Sequence, residues 1–246
     1  MPLYEKPVRQ LMHDMVRDLA LKQGEILSKQ RVVTWFAEHY PRVKESTIGA
    51  HLVRLSTNAP SRVHYSAKTG EDDLLYQIDG GRFRLFDPAS DPLPIREASE
   101  APPRRDPFPD EGAEPPTEFA YENDLRNFLA KNLNALEPGL RLYEEEGITG
   151  VEFPAGGRFV DILAIDKQKD YVVIELKVSR GYDRVVGQLR RYMGWIAKHH
   201  AEPAQRVRGI IVARQITDDL LLACSGLPDL TLYEYQLRVA LRKVET

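Results

Sequence analysis

Residues 158–165 and 171–178, RFVDILAI and YVVIELKV, are two runs of strand-forming residues joined by the polar turn Asp166–Asp170. Alternation in the first run and Val/Ile richness in the second make a β-hairpin the expected unit. Side chains alternate between the faces of a strand, so Glu175 and Lys177 point one way. Val172, Ile174, Leu176 and Val178 point the other way, into a core. Asp161 is central in the first strand, and a hairpin through 166–170 brings it beside Glu175. Two acids and a lysine are thereby aimed at one spot.

Two carboxylates this close repel one another, and burying them is costly unless a cation lies between them. Hard divalent ions take oxygen ligands, and Mg²⁺ typically takes one or two carboxylates plus water and phosphate oxygens. Asp161 and Glu175 suit such an ion, Mg²⁺ or Mn²⁺, with the carbonyl of Leu176 as a third oxygen. Lys177 would lie beside the bound water, where it can orient that water or offset charge developing on phosphorus. Read alone, the same residues also fit a solvated hairpin carrying an ordinary acid–lysine pair.

Further blocks accompany the hairpin in order: Y-E-N-D-L-R-N-F-L-A-K-N-L from 121, G-Q-L-R-R-Y-M-G-W from 187 and R-G-I-I-V-A from 208. With D161…E175-L-K177 they resemble the PD-(D/E)xK phosphodiesterases, in the subgroup of the C-terminal domain of NucS-type endonucleases, over roughly 120–236. The resemblance implies a restriction-endonuclease-like mixed sheet flanked by helices, α/β in class. It also implies an active site of Glu122, Asp161, Glu175, Lys177, Gln188 and Tyr192. One departure is that NucS proteins often carry an Arg two residues before the Asp, whereas Arg158 stands three before it and on the opposite strand parity.

Composition narrows the alternatives. No run approaches the length of a membrane span and the N-terminus lacks a signal-peptide core, so no membrane partner and a cytoplasmic location are expected. The one cysteine, Cys224, excludes an intramolecular disulfide and a cysteine-based zinc site. Net charge is −3, and the acidity is local: residues 89–120 carry 3 Lys+Arg against 8 Asp+Glu, while 121–246 carry 18 of each. Any phosphate-binding surface must therefore be a patch.

The first 88 residues read as three helices and a hairpin. Pro7, the spacing of Val8, Leu11, Met12, Met15 and Leu19, and Gly24 mark a helix over 5–23. Ser28 caps a second helix to His39. A third starts near Ser46 or Thr47, burying Ile48, Leu52 and Leu55. Strands are expected at Arg62–Ser66, Leu74–Ile78 and Arg82–Phe86. This order is similar to the winged helix-turn-helix modules attached to restriction-type nucleases. In such a module Thr47, Ala50, His51 and Arg54 would face the major groove, supported at phosphates by Lys44, Arg62, Lys68, Arg82 and Arg84. The acidic Glu71-Asp72-Asp73 at the wing tip works against a wing contact.

Residues 88–117 hold nine of the seventeen prolines and read as an acidic linker from 89 to 117. The second domain, 118–246, then opens with a helix over 118–134, capped by Thr117 and carrying Glu122. A short strand at Arg141–Tyr143 precedes the hairpin, and a helix over 183–200 places Gln188 and Tyr192 on one face. Trp195 reads as core, His199 and His200 as helix-end residues, and Arg158, Arg184, Arg190 and Arg191 as candidates for DNA contacts. Val207–Ala213 reads as a buried strand. A Thr217-capped helix, a strand at Leu230–Tyr235 and an edge strand at Gln236–Lys243 close the chain.

The expected function is a Mg²⁺-dependent endodeoxyribonuclease with an N-terminal DNA reader, serving restriction-type defence. The alternatives are mismatch- or structure-directed repair and, from another class, a non-catalytic DNA-binding protein on a nuclease fold. DNA is the expected partner, and cutting both strands would take a homodimer or two visits.

Overall fold

The structure is a computed structural model that describes residues 4–97, 116–177 and 183–236, without the side chains of 116–121 and 183. Its N-terminal module runs α1 (Val8–Asp18), β1 (Leu27–Ser28), α2 (Lys29–His39), α3 (Glu45–Leu55), a 3₁₀ turn (Pro60–His64), β2 (Leu75–Gln77) and β3 (Arg82–Leu85). The strands pair antiparallel in the order β1-β3-β2. Val8, Leu11, Met12 and Met15 form the buried stripe of α1. That helix stops well before Gly24, because Ala20 takes left-handed backbone and the Leu21 N–H closes onto the Val16 carbonyl. The Ser28 hydroxyl accepts from the Arg31 N–H at 3.2 Å and caps α2 as expected.

Two expectations for this module are corrected. The 62–66 run is not a strand: Pro60 opens a 3₁₀ turn whose N–H groups reach back three residues, Arg62 to Ala59 and Tyr65 to Arg62. Nor is the first part of the linker a passive spacer. Its Asp91 binds the Arg84 guanidinium, Arg96 pairs with Asp73 at 2.6 Å, and the Ile95 N–H donates to the Thr57 carbonyl. Those contacts fasten 89–97 to the module.

The C-terminal part continues with α4 (Pro116–Lys131), a 3₁₀ turn (Leu133–Ala135), β4 (Arg141–Leu142), β5 (Glu144–Glu145) and β6 (Ile148–Thr149). Then come β7 (Val151–Ala155), β8 (Arg158–Ile165), β9 (Tyr171–Lys177), α5 (Asp183–His199), β10 (Val207–Ala213), α6 (Asp218–Cys224) and β11 (Leu230–Glu234). Six strands form one mixed sheet, ordered β11-β10-β9-β8-β4 with β7 also on β8. The β8–β9 hairpin is antiparallel, and β9, β10 and β11 run parallel. The hairpin turns where the Asp166 carboxylate accepts from the N–H groups of Gln168 and Asp170. One face carries Ile162, Val172, Ile174 and Ile210 under Leu125 and Leu129 of α4. The other carries Leu163, Val173 and Ile211 under Val185, Leu189, Met193 and Ile196 of α5. Thr217 caps α6 through the Leu220 N–H at 3.2 Å. The expected edge strand lies, beyond its first residue, outside the described residues. Among the described residues no helix is long and apolar enough to cross a membrane.

The second core does not stop at the sheet. Ala50 and Val53 of α3, with Ala59 and Tyr65, are buried in the same cluster as Tyr143, Ile148, Phe153 and Leu163. The two parts of the chain therefore share apolar interior, with α3 between them.

Candidate active site

The expected convergence occurs. Register pairs Ile162 with Ile174 as the last step of the β8–β9 ladder, so Asp161 and Glu175 follow as neighbours across the strands. Beyond this point the ladder bond gives way to a side chain: the Leu176 N–H donates to Asp161 Oδ2 at 2.9 Å. The same amide that would have continued the sheet thus holds the first carboxylate. Both acids are buried, at 6% exposure each. Lys177 is half-buried and shares the face of Glu175 by strand parity.

Helix α5 lies over this end of the sheet and supplies two further polar groups. Gln188 Nε2 donates to Glu175 Oε1 at 2.6 Å and also approaches the Tyr192 hydroxyl oxygen at 3.3 Å. Burial, with the negative charges of Glu175 and Asp161, pushes the Tyr192 phenol up to about 12. Tyr192 is accordingly a neutral hydroxyl at pH 7 that accepts from Gln188 and keeps its own proton for donation. Arg191 lies over the Tyr192 ring at 5.3 Å, and Arg184 is exposed on the same helix. Trp195 is half-buried, stacked on His199 with ring centroids 5.0 Å apart.

Glu122 is half-buried near the start of α4. Among the described residues no group of three or more His, Cys, Asp or Glu side chains is arranged to hold a metal ion. A pair of adjacent buried carboxylates is nonetheless a donor set of the right chemistry for a hard divalent cation. Leu176 is seen to act through its N–H, on Asp161, and Arg158 is half-buried at the start of β8.

The expected reader surface is corrected. Thr47, Ala50, His51 and Arg54 are all buried. Arg54 donates from Nε and Nη2 to Asp72 Oδ2 at 3.1 Å, from Nη2 to the Ser66 carbonyl at 2.6 Å and from Nη1 to the Glu146 carbonyl at 2.7 Å. His51 is enclosed, and burial beside Arg54 lowers its pKa to about 3. Lys44 pairs with Glu202 at 2.6 Å. Arg62 is buried against Asp73 at 2.9 Å, and Arg82 pairs with Asp79 at 2.6 Å. The physical reason is that the second apolar stripe of α3, through Ala50 and Val53, meets an equally apolar partner in β6, β7 and α5.

His200 does stand at the end of α5, its N–H donating to the Ile196 carbonyl at 2.9 Å, but its ring turns inward. It is buried among Tyr143, Phe153 and Tyr171, with burial lowering its pKa to about 3. Ser46 Oγ lies 3.0 Å from the His199 carbonyl oxygen and 2.6 Å from His200 Nδ1. Two residues of consequence carried no sequence signal beyond a charge in an apolar setting: Arg126 of α4 and Glu152 of β7, paired at 2.7 Å.

Residues 121–229 match the family model described as the endonuclease NucS C-terminal domain. This part of the chain is similar to that domain. Residues 7–85 match a second family model, described as a domain of unknown function, DUF7669. Over 100 residues the chain is 35% identical to the endonuclease NucS of Methanopyrus kandleri, covering 41% of this chain and 35% of that one. The Halobacterium salinarum endonuclease NucS 2 is 31% identical over 122 residues, 49% of this chain and 45% of that one. The chain thus spans less than half the length of these relatives. Among solved structures, a repair endonuclease from Pyrococcus abyssi aligns at 24% identity with a TM-score of 0.38, over 52% of this chain and 50% of that one. An EndoMS–dsDNA complex aligns at 27% identity and 0.37, over 53% and 51%. The matched stretch contains the residues gathered at the site: Asp161 and Glu175 from the hairpin, Gln188 and Tyr192 from the overlying helix.

Proposed function

We propose that the chain is an endodeoxyribonuclease that hydrolyses a DNA phosphodiester with Mg²⁺, or Mn²⁺, held by Asp161 and Glu175. The observation that carries this reading is the pair of buried carboxylates at the splayed end of β8 and β9, one fixed by the Leu176 N–H and the other by Gln188. When bound, the divalent ion supplies charge neutralisation and a water activated for attack on phosphorus. Leu176 and Gln188 orient the two carboxylates, as outer hydrogen bonds do for metal ligands generally. Lys177 brings a cation to the same face, suited to charge developing on the phosphate oxygens. Tyr192 donates its retained proton into the site, and the Leu176 carbonyl and Glu122 are secondary groups in this scheme.

Structure- or mismatch-directed repair is favoured over restriction. The restriction reading rested on α3 as a sequence reader, and that helix is covered by the catalytic domain. The printed names of the relatives, endonuclease NucS and endonuclease NucS 2, support the endonuclease part of the reading. DNA would then be held through groups outside α3, with the exposed Arg184 and the half-buried Arg158 as candidates. A plasmid and matched, methylated and mismatched duplexes, incubated with Mg²⁺ and then with EDTA, test the reading. Cleavage should need the metal, favour the mismatched duplex and vanish in Asp161→Asn. Metal-independent cutting, or wild-type-like cutting by Asp161→Asn, would remove the proposal.

A further inference from the structure

Glu152 lies on β7, between Val151 and Phe153, whose partners on β8 are Ile162 and Val160. Its position is therefore across from Asp161. Its backbone takes φ 48°, a left-handed value in mid-strand that a residue with a Cβ adopts only when its surroundings impose it. Those surroundings come from two places, the 61–65 stretch and α4. Ser61 Oγ donates to Glu152 Oε2 at 2.5 Å, and the Tyr65 hydroxyl donates to the Glu152 carbonyl at 2.9 Å. His64 Nε2 is 3.8 Å from the same carboxylate, and Arg126 of α4 binds its other oxygen at 2.7 Å. Both Glu152 and Arg126 are buried. Arg126 is one helical turn beyond Glu122, so the two share a flank of α4.

A buried carboxylate with this many partners is a cross-brace. It ties the N-terminal module, through 61–65, to the strand beside Asp161 and to the helix that carries Glu122. We propose that Glu152 is a positioning residue for the Asp161–Glu175 site, and that through it the N-terminal module is a structural part of the catalytic centre. The inference rests on the nuclease reading above and deepens it: the module serves the site by bracing β7 rather than by presenting α3 to DNA. The turn between β5 and β6 supports the same arrangement, since the Glu146 carboxylate there accepts from the Val8 N–H at 2.7 Å and so caps α1, which has no side-chain cap of its own.

The test is single-turnover cleavage by the full chain with Mg²⁺, alongside DNA affinity measured in Ca²⁺. Glu152→Ala should lower the cleavage rate about 100-fold, the scale of an ångström of misplacement, with affinity kept within about twofold. Glu152→Gln can still accept from Arg126 and donate to Ser61, and should recover to within about tenfold of wild type. Ser61→Ala should lose about tenfold alone and nothing further in the Glu152→Ala background. Wild-type rates in Glu152→Ala, equal loss of rate and affinity, or additive losses in the pair would overturn the inference. If Glu152→Ala does not fold, Glu152→Gln and Ser61→Ala carry the test by the same criteria. If the wild-type chain cuts no DNA, the nuclease reading fails by itself, and amide exchange still decides the brace. Exchange at 160–163 should rise in Ser61→Ala while that of β11 stays fixed, and unchanged exchange at 160–163 would refute it.

Discussion

Replacing Arg54 with alanine separates a buried strut from a DNA contact. The guanidinium makes four hydrogen bonds: two to Asp72 Oδ2, at 3.1 Å each, and one each to the carbonyls of Ser66 and Glu146. Arg54 and Asp72 are both buried. Breaking a buried ion pair from one side costs about 3–5 kcal/mol, because the surviving charge is stranded. Here Asp72 keeps the Lys68 N–H at 2.7 Å and Arg9 at 3.3 Å, which places the loss near the lower end, about 3 kcal/mol. With a urea slope of about 3 kcal/mol/M, the midpoint should fall by about 1 M. Arg184→Ala, at an exposed position, should stay within about 0.5 kcal/mol of wild type. The assay is equilibrium urea unfolding followed by far-UV circular dichroism. If Arg54→Ala were as stable as wild type and instead weakened DNA binding with a salt slope shallower by about one, Arg54 would be a phosphate contact. The buried placement of α3 would then be wrong.

Three other perturbations address separate parts of the structure. Gly150→Ala should destabilise the fold by about 2 kcal/mol or more in the same unfolding assay, since a Cβ there would stand 1.9 Å from the Leu163 carbonyl of β8; an unchanged midpoint would refute the close approach of Gly150 to β8. Gln188→Ala should lower apparent Mg²⁺ affinity, read from the metal dependence of cleavage, by about 10–100-fold, by freeing the Glu175 carboxylate to reorient; an unaltered metal titration would refute that role. Burial holds His51 and His200 at about 3, well below the 6.5 of an exposed imidazole, so the unfolded chain binds more protons between these values. Their contribution to stability is complete above pH 6.5 and declines as pH falls below it. The urea midpoint should therefore drop between pH 7 and pH 5, and less steeply in His51→Leu; parallel profiles would refute the burial of His51.

The hairpin and its chemistry were readable because their signals are local. Alternation over 158–165, the Val/Ile run from 171 and the Asp166 turn fix which residues are strand and which side chains share a face. The i, i+4 spacing of Gln188 and Tyr192 fixes them to one helix flank in the same way. The 62–66 run misled because a short apolar alternation also suits a 3₁₀ turn, and Pro60 decides for the turn. β1 and β7 escaped notice for different reasons: β1 is two residues long, and β7 carries a charge and a proline.

The amino-acid order alone determined the αβ succession and the residue types and spacing of the candidate site, since each depends on interactions within a few residues. Only the tertiary structure decided what the third helix does. A helix with apolar residues on two sides can face solvent with one or bury both, and nothing within α3 says which. The answer lay in Tyr143, Ile148 and Phe153, some ninety or more residues away, whose apolar surface covers Ala50 and Val53. Burial then turned Arg54 and His51 from surface groups into interior ones, and made Glu152 a link between the two halves of the molecule.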